Sequence, residues 1–183
     1  FDVTGTITLA TALPEITRSY TIIDASSQWQ GAWPDGSPGI IIDGTDIPST
    51  YNGIYISASH CQVKGLQITN FSEDYCTAIF LFGSTNSYNT IGGTAPGERN
   101  VINNNYSGIE TRSPQTTIIG NYIGVTPDGL AAAPNNQRGV YVNQTSNTTI
   151  GGTTAAARNI ISGNTNSGIL IDGDENNIMG NYI

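Results

Sequence analysis

Asp172, Asp174 and Glu175 place three carboxylates within four residues. Hard oxygen donors gathered in one loop are the set that a calcium ion takes. The same run, Asp-Gly-Asp-Glu-Asn, is also ordinary turn chemistry, in which short polar side chains bond their own backbone. Asp43 and Asp46, in Asp-Gly-Thr-Asp, form a second acidic pair of that kind. Trp29 and Trp33 lie in a Ser/Gly/Pro-rich stretch, residues 25–38. An indole there could stack on a sugar or pack on the flank of the molecule. The only histidine, His60, has no acid or nucleophile that the pattern brings near it, and reads as a corner residue. There is no Gly-x-Ser-x-Gly elbow, P-loop or His/Cys metal cluster. No catalytic set is predicted.

What positions these residues is a repeat. Thr90-Ile-Gly-Gly-Thr and Arg99-Asn-Val-Ile return as Thr149-Ile-Gly-Gly-Thr and Arg158-Asn-Ile-Ile, and Ile119-Gly-Asn-Tyr-Ile123 returns as Met179-Gly-Asn-Tyr-Ile183. Self-similarity at this period marks a solenoid, whose single coils cannot bury an apolar face until they stack. Three strand phases can be written out. Because alternate residues face opposite sides of a strand, the first phase, Gly-Ile-x-Ile, turns Ile7, Ile54, Ile79, Ile109, Val140 and Ile169 inward. Its outward column is Thr8, Tyr55, Phe80, Glu110, Tyr141 and Leu170. The second phase, Thr-Ile-x-Gly, turns Ile22, Val63, Ile91, Ile118, Ile150 and Ile178 inward, with Gly65, Gly93, Gly120, Gly152 and Gly180 two places on and Asp24 in that place in the first turn. A glycine fixed at one place implies positive φ or no room for a Cβ. The third phase, Asn-x-Ile, turns Ile41, Ile68, Ile102, Ile123, Ile161 and Ile183 inward. Asn100, Asn121, Asn159 and Asn181 precede four of these and fit an amide ladder.

The predicted fold is all-β: a single parallel β-helix domain over residues 1–183, three strands per coil and about six coils, with insertions such as Gly93–Arg99, Gly124–Arg138 and Gly152–Arg158 on the outside. It could also be a segment of a longer solenoid. The units quoted, with Ala12-Leu-Pro-Glu-Ile, Tyr20-Thr-Ile-Ile-Asp24 and Lys64-Gly-Leu-Gln-Ile-Thr-Asn-Phe71, resemble the right-handed parallel β-helix repeat proteins of the pectate-lyase-like superfamily. That resemblance implies the hand of the helix, and a superfamily that holds lyases, glycoside hydrolases, epimerases, tailspikes and adhesins. Its lyases use calcium on clustered aspartates with an arginine or lysine base. The nearest match is Asp172, Asp174 and Glu175 with Arg112. The paired aspartates, His-Gly and Arg-Ile-Lys of its polygalacturonase-like branch are missing.

Composition narrows the partners. The formal charge is −8, with one lysine, Lys64, and five arginines, so no basic stripe exists to neutralise phosphates. Nucleic acid is excluded as an expected partner, and no apolar run is long enough to cross a bilayer. The abundance of Gly, Asn, Thr and Ser suits short strands joined by turns, and the low fraction of charged residues, 11 %, suits an extracellular or cell-surface protein. The chain opens at Phe1 without methionine, as a mature or excised piece would. Asn70, Asn105, Asn143 and Asn147 head Asn-x-Ser/Thr sequons, candidate glycosylation positions in such a compartment. Cys61 and Cys76 either pair or stay as small core residues.

Two functions remain. The first is a non-enzymatic structural solenoid, a surface or filament building block associating end to end with copies of itself, since bare coil ends are open edges. The alternative is a polysaccharide-binding or polysaccharide-cleaving β-helix, with Trp29, Trp33, Tyr55 and Tyr141 as the aromatic ligand residues. No cofactor is required by either, apart from calcium in the lyase reading.

Overall fold

Each short apolar run pairs in parallel with the run of the same phase one coil away, and this stacks the chain into three sheets. The computed structural model describes residues 4–31, 36–47 and 51–183. Sheet A stacks Gly5–Thr8, Ile40–Asp43, Leu66–Thr69, Val101–Asn103, Tyr122–Ile123 and Ile160–Ile161. Sheet B stacks Ile54–Ile56, Thr77–Leu81, Ser107–Thr111, Arg138–Asn143 and Ser167–Asp172. Sheet C stacks Ile22–Asp24, Gln62–Lys64, Thr90–Gly92, Thr117–Ile119, Thr149–Gly151 and Asn177–Met179. The strands recur in the order A, B, C along the chain, which gives a parallel β-helix of three strands per coil and about six coils. Among the described residues, no helix is long and apolar enough to cross a membrane.

The core lies inside the coils. Ile56, Val63, Ile68, Ile79, Ile91, Ile102, Ile109, Ile118, Ile123, Val140, Ile150 and Ile161 are all 0 % exposed. Burial of each such side chain contributes about 1.5–3 kcal/mol. A β-branched residue is already restricted at χ1, so the pleated column costs it little further freedom.

The first two coils depart from the expected register at three places. Gly5–Thr8 belongs to sheet A, where Ile7 pairs with Ile42, and not to the Gly-Ile-x-Ile phase of sheet B. Sheet B continues into this coil only as the bridge Ile16–Ile56. Ile23, not Ile22, stands opposite Val63, and Ile22 is 59 % exposed. Ile42, not Ile41, stands opposite Ile68 and is 6 % exposed. With the slip in sheet C, Asp24 stands opposite Lys64, and Ala25 lies under the glycine position.

The corners are closed by side-chain amides. Asn100 donates its carboxamide to Asn121 Oδ1 (3.0 Å), Asn121 to Asn159 (3.1 Å) and Asn159 to Asn181 (2.9 Å). Each also donates to a backbone carbonyl of the preceding coil, at Val63, Ile91 and Ile118, all at 2.9 Å. These are the four residues expected to form a ladder. A second ladder, Asn105–Asn135–Asn164, runs up the corner between sheets A and B, with carboxamide steps of 3.0 and 2.8 Å.

The glycine column has two forms. Gly65, Gly120 and Gly180 are left-handed, with φ of 77°, 71° and 67°. In the two coils carrying the Gly93–Arg99 and Gly152–Arg158 insertions, the left-handed residue is one earlier, Gly92 (91°) or Gly151 (85°). At Gly93 and Gly152 the constraint is space: a Cβ would stand 2.3 Å from the Glu98 carboxylate or 2.7 Å from the Ala157 methyl.

Candidate functional site

The outward face of sheet B carries the aromatic column in the predicted order, Tyr55, Phe80, Glu110, Tyr141 and Leu170, each opposite the next. Thr8, expected at its head, stands in sheet A. Tyr55 meets Phe80 edge to face at 5.2 Å, and Phe82 lies 5.9 Å from Phe80, so three rings cluster on this face. Burial raises the phenol pKa of Tyr55, with Glu15 adding to the effect and Arg112 opposing it.

Beside these rings is a cleft of about 280 Å³, walled by Tyr75, Phe80 and Tyr106 and floored by Glu110, Arg112 and Arg138. Glu110 Oε1 accepts from Arg112 Nε at 2.9 Å and from Asn143 Nδ2 at 2.7 Å. Arg112 also lies over Phe80 at 5.5 Å, and Arg138 over Tyr141 at 4.7 Å. The cleft therefore combines ring faces with oriented donors and one carboxylate. That is the make-up of a site that stacks on an apolar face and bonds hydroxyls at its edges. Glu110 is the sole carboxylate lining it among the described residues. A larger groove of about 350 Å³ runs between the 125–132 hairpin and Ile160, Tyr182 and Ile183, and no charged side chain lines it.

Tyr75, Tyr106 and Arg138 are absent from the sequence expectations. Arg138 sits in the alternation phase of inward Val140, so alternation assigns it to the core. It begins its strand at a corner, where the chain bends and carries the guanidinium out over Tyr141. Tyr75 and Tyr106 come from turns ahead of the strands, where a two-residue period says nothing about direction.

The other expected site residues are scattered. Trp29 is half-buried, with the Arg99 guanidinium 5.7 Å over its ring, so it packs on the flank of the coil. Trp33 lies outside the described residues. Asp172, Asp174 and Glu175 are exposed. Among the described residues no group of three His, Cys, Asp or Glu is placed to hold a metal ion. Glu175 Oε2 instead accepts from Asn147 Nδ2 at 3.3 Å. Arg112 pairs with Glu110, while Asp172 stands opposite Asn143, two coils on from Arg112.

His60 occupies a corner that recurs in all six coils. Tyr20, His60, Tyr88, Gln115, Asn147 and Glu175 each take a left-handed φ, between 55° and 65°. The His60 ring stacks on Tyr20 at 4.7 Å and on Tyr88 at 5.1 Å. Of the sequon asparagines, Asn105 is 0 % exposed and its amide is spent within the second ladder. Asn143 is buried against Glu110, Asn70 donates to Asp43 at 2.9 Å, and Asn147 is exposed. Cys61 and Cys76 are both buried and are not joined to one another by a disulfide.

Compared with known proteins, the chain matches no family model, no curated protein and no solved structure.

Proposed function

We propose that this chain is an extracellular β-solenoid that binds a polysaccharide along the outward face of sheet B. The observation that carries the reading is the 280 Å³ cleft in which Tyr75, Phe80 and Tyr106 surround Glu110, Arg112 and Arg138. A sugar ring offers an apolar C–H face and a rim of hydroxyls, and this lining offers rings for the one and charged edges for the other. The resemblance to right-handed, pectate-lyase-like β-helices belongs to the same reading and agrees with it. Affinity electrophoresis against acidic and neutral polysaccharides, with and without calcium, tests it. At least one polymer should retard the protein, and Phe80→Ala and Arg138→Ala should each reduce that retardation. No retardation by any polymer, or retardation that both substitutions leave unchanged, refutes the reading.

A structural building block joined coil to coil is the second reading. It is supported by the stacking itself, in which each coil pairs in parallel with the next through the same three sheets. Sedimentation velocity over a range of concentrations tests association between copies: growing species support it and a constant monomer removes it.

A further inference from the structure

Tyr75 and Tyr106 are the one pair of tyrosine rings in contact among the described residues, with centroids 5.9 Å apart and planes inclined at 41°. Tyr75 is 85 % exposed and is held on its turn by a left-handed φ of 68° and by the Cys76 amide donating to Glu73 O at 3.1 Å. Tyr106 is anchored: its ring packs partly buried against the core, and its amide donates to Phe71 O at 2.7 Å. One phenol is thus open to a reagent in solution, and the second is a fixed partner beside it. The other exposed tyrosines on a shared corner, Tyr20 and Tyr88, are kept apart by the ring of His60 between them.

We propose that Tyr75 and Tyr106 are an oxidative cross-linking site, a pair that a haem peroxidase with hydrogen peroxide joins into dityrosine. Each phenol gives up one electron and one proton and becomes a phenoxyl radical. The two radicals form one carbon–carbon bond between ortho positions. The hydrogens on the joined carbons then pass to the phenol oxygens as the rings regain aromaticity. The protein loses two hydrogen atoms in all. Peroxide takes the two electrons and two protons, its O–O bond breaks and two waters leave. A radical with its partner ring already in place reacts far faster than one that must meet a second molecule, because the encounter is intramolecular. The closing movement falls to Tyr75, whose ring is almost entirely in solvent. The bond would tie successive coils together at the rim of the sheet B cleft, and a cross-link of this kind stabilises by restricting the unfolded chain. The inference uses the ring geometry alone and does not rest on sugar binding.

The test is peroxidase and hydrogen peroxide acting on dilute purified protein, followed by isolation of the monomer, dityrosine fluorescence and peptide mass spectrometry. The monomer should lose two hydrogens, yield a peptide pair linking Tyr75 to Tyr106, and melt at a higher temperature than before. Tyr75→Phe and Tyr106→Phe should each abolish the linked pair, and Tyr88→Phe should retain it. Far-UV spectra taken beforehand establish that each variant keeps its strand content. A treated monomer without the linked peptide, or one in which dityrosine survives in the Tyr75→Phe protein, overturns the proposal.

Discussion

The side-chain oxygen of Asn159 accepts both N–H groups that Asn121 turns toward it, the backbone amide at 2.9 Å and the carboxamide at 3.1 Å. Asn121 does the same for Asn100, at 3.3 and 3.0 Å. Both residues are 0 % exposed, at a corner where the strand ladder stops. Without the asparagine, a backbone amide in each coil would be left dry and unpaired. Asn121→Leu should therefore cost about 1–3 kcal/mol in urea unfolding. Asn136→Ala, at an exposed turn residue whose φ is not left-handed, should stay within about 0.5 kcal/mol. Equal effects at the two positions would remove the ladder from the stability argument.

The register of the first coils gives a second test. Ile42 is 6 % exposed and faces Ile68, whereas Ile41 is opposite outward Gln67. Ile42→Ala should cost about 2–5 kcal/mol, the range for truncating a buried isoleucine. Ile41→Ala should cost well under half of that, because its side chain leaves no cavity in the core. The reverse ranking would restore the register with Ile41 inward.

Those two residues also show where the sequence is legible. In several later strands a lone Ile stands between polar or small neighbours, as in Thr149-Ile150-Gly151 or Gly108-Ile109-Glu110, and the period of two names its face. Ile40-Ile41-Ile42 and Ile22-Ile23 offer no alternation, so a one-residue slip changes nothing in the pattern and everything in the direction. The first ladder was legible because Asn121 and Asn159 sit at one distance before an inward Ile. The second was hidden: Asn105 follows Asn103 and Asn104, and Asn135 precedes Asn136, with loops of unequal length between them. The cleft was half legible. Phe80 and Glu110 follow from alternation, whereas Arg138, Tyr75 and Tyr106 are placed by bends, and Tyr55 and Tyr141, though on the same face, do not line it.

Gly120 and Gly93 make a paired test of the glycine column. A Cβ on Gly120 would stand 2.2 Å from the carbonyl oxygen of Gly93, and its φ is 71°. Neither the rigid carbonyl nor the left-handed backbone accommodates a methyl group, so Gly120→Ala should cost at least about 2 kcal/mol. At Gly93 the atoms in the way all belong to one side chain, Glu98, with Oε2 at 2.3 Å and Cβ at 2.8 Å, and the backbone is not left-handed. Gly93→Ala should be the milder substitution in chemical denaturation. Equal losses would show that space, and not backbone conformation, sets the cost at both places.

The last prediction concerns pH. Lys64 Nζ stands 2.6 Å from Glu98 Oε1 and 3.2 Å from Asp24 Oδ2, and so links sheet C to the 93–99 insertion. The hydrogen bond to Glu98, against a smaller opposing effect of burial, raises the Lys64 pKa, with Asp24 adding to it. Burial opposes ionisation of Glu98, but Lys64 and the Ala95 amide outweigh it and hold the carboxyl below its ordinary value. Asp24 is held down in the same way, with burial opposed by Ser26 and Lys64. A depressed carboxyl stabilises the fold above its unfolded pKa and loses that contribution as pH falls through the folded one. A raised ammonium stabilises below its unfolded pKa and loses its contribution as pH rises through the folded one. The cluster should thus contribute a plateau between about pH 5 and pH 10, with losses below about pH 4 and above about pH 10.5. Lys64→Met should cost about 1–3 kcal/mol on the plateau, the range for hydrogen bonds to charged groups. The gap between the two proteins should narrow toward pH 2 as the carboxyls protonate. Salt should weaken the Asp24 contact more than the Glu98 contact, because the Asp24 side chain is 42 % exposed and that of Glu98 19 %. Urea unfolding of both proteins from pH 2 to pH 11 measures the difference, and a gap that stays constant down to pH 2 would show that Lys64 acts through packing of its stem and not through its charge.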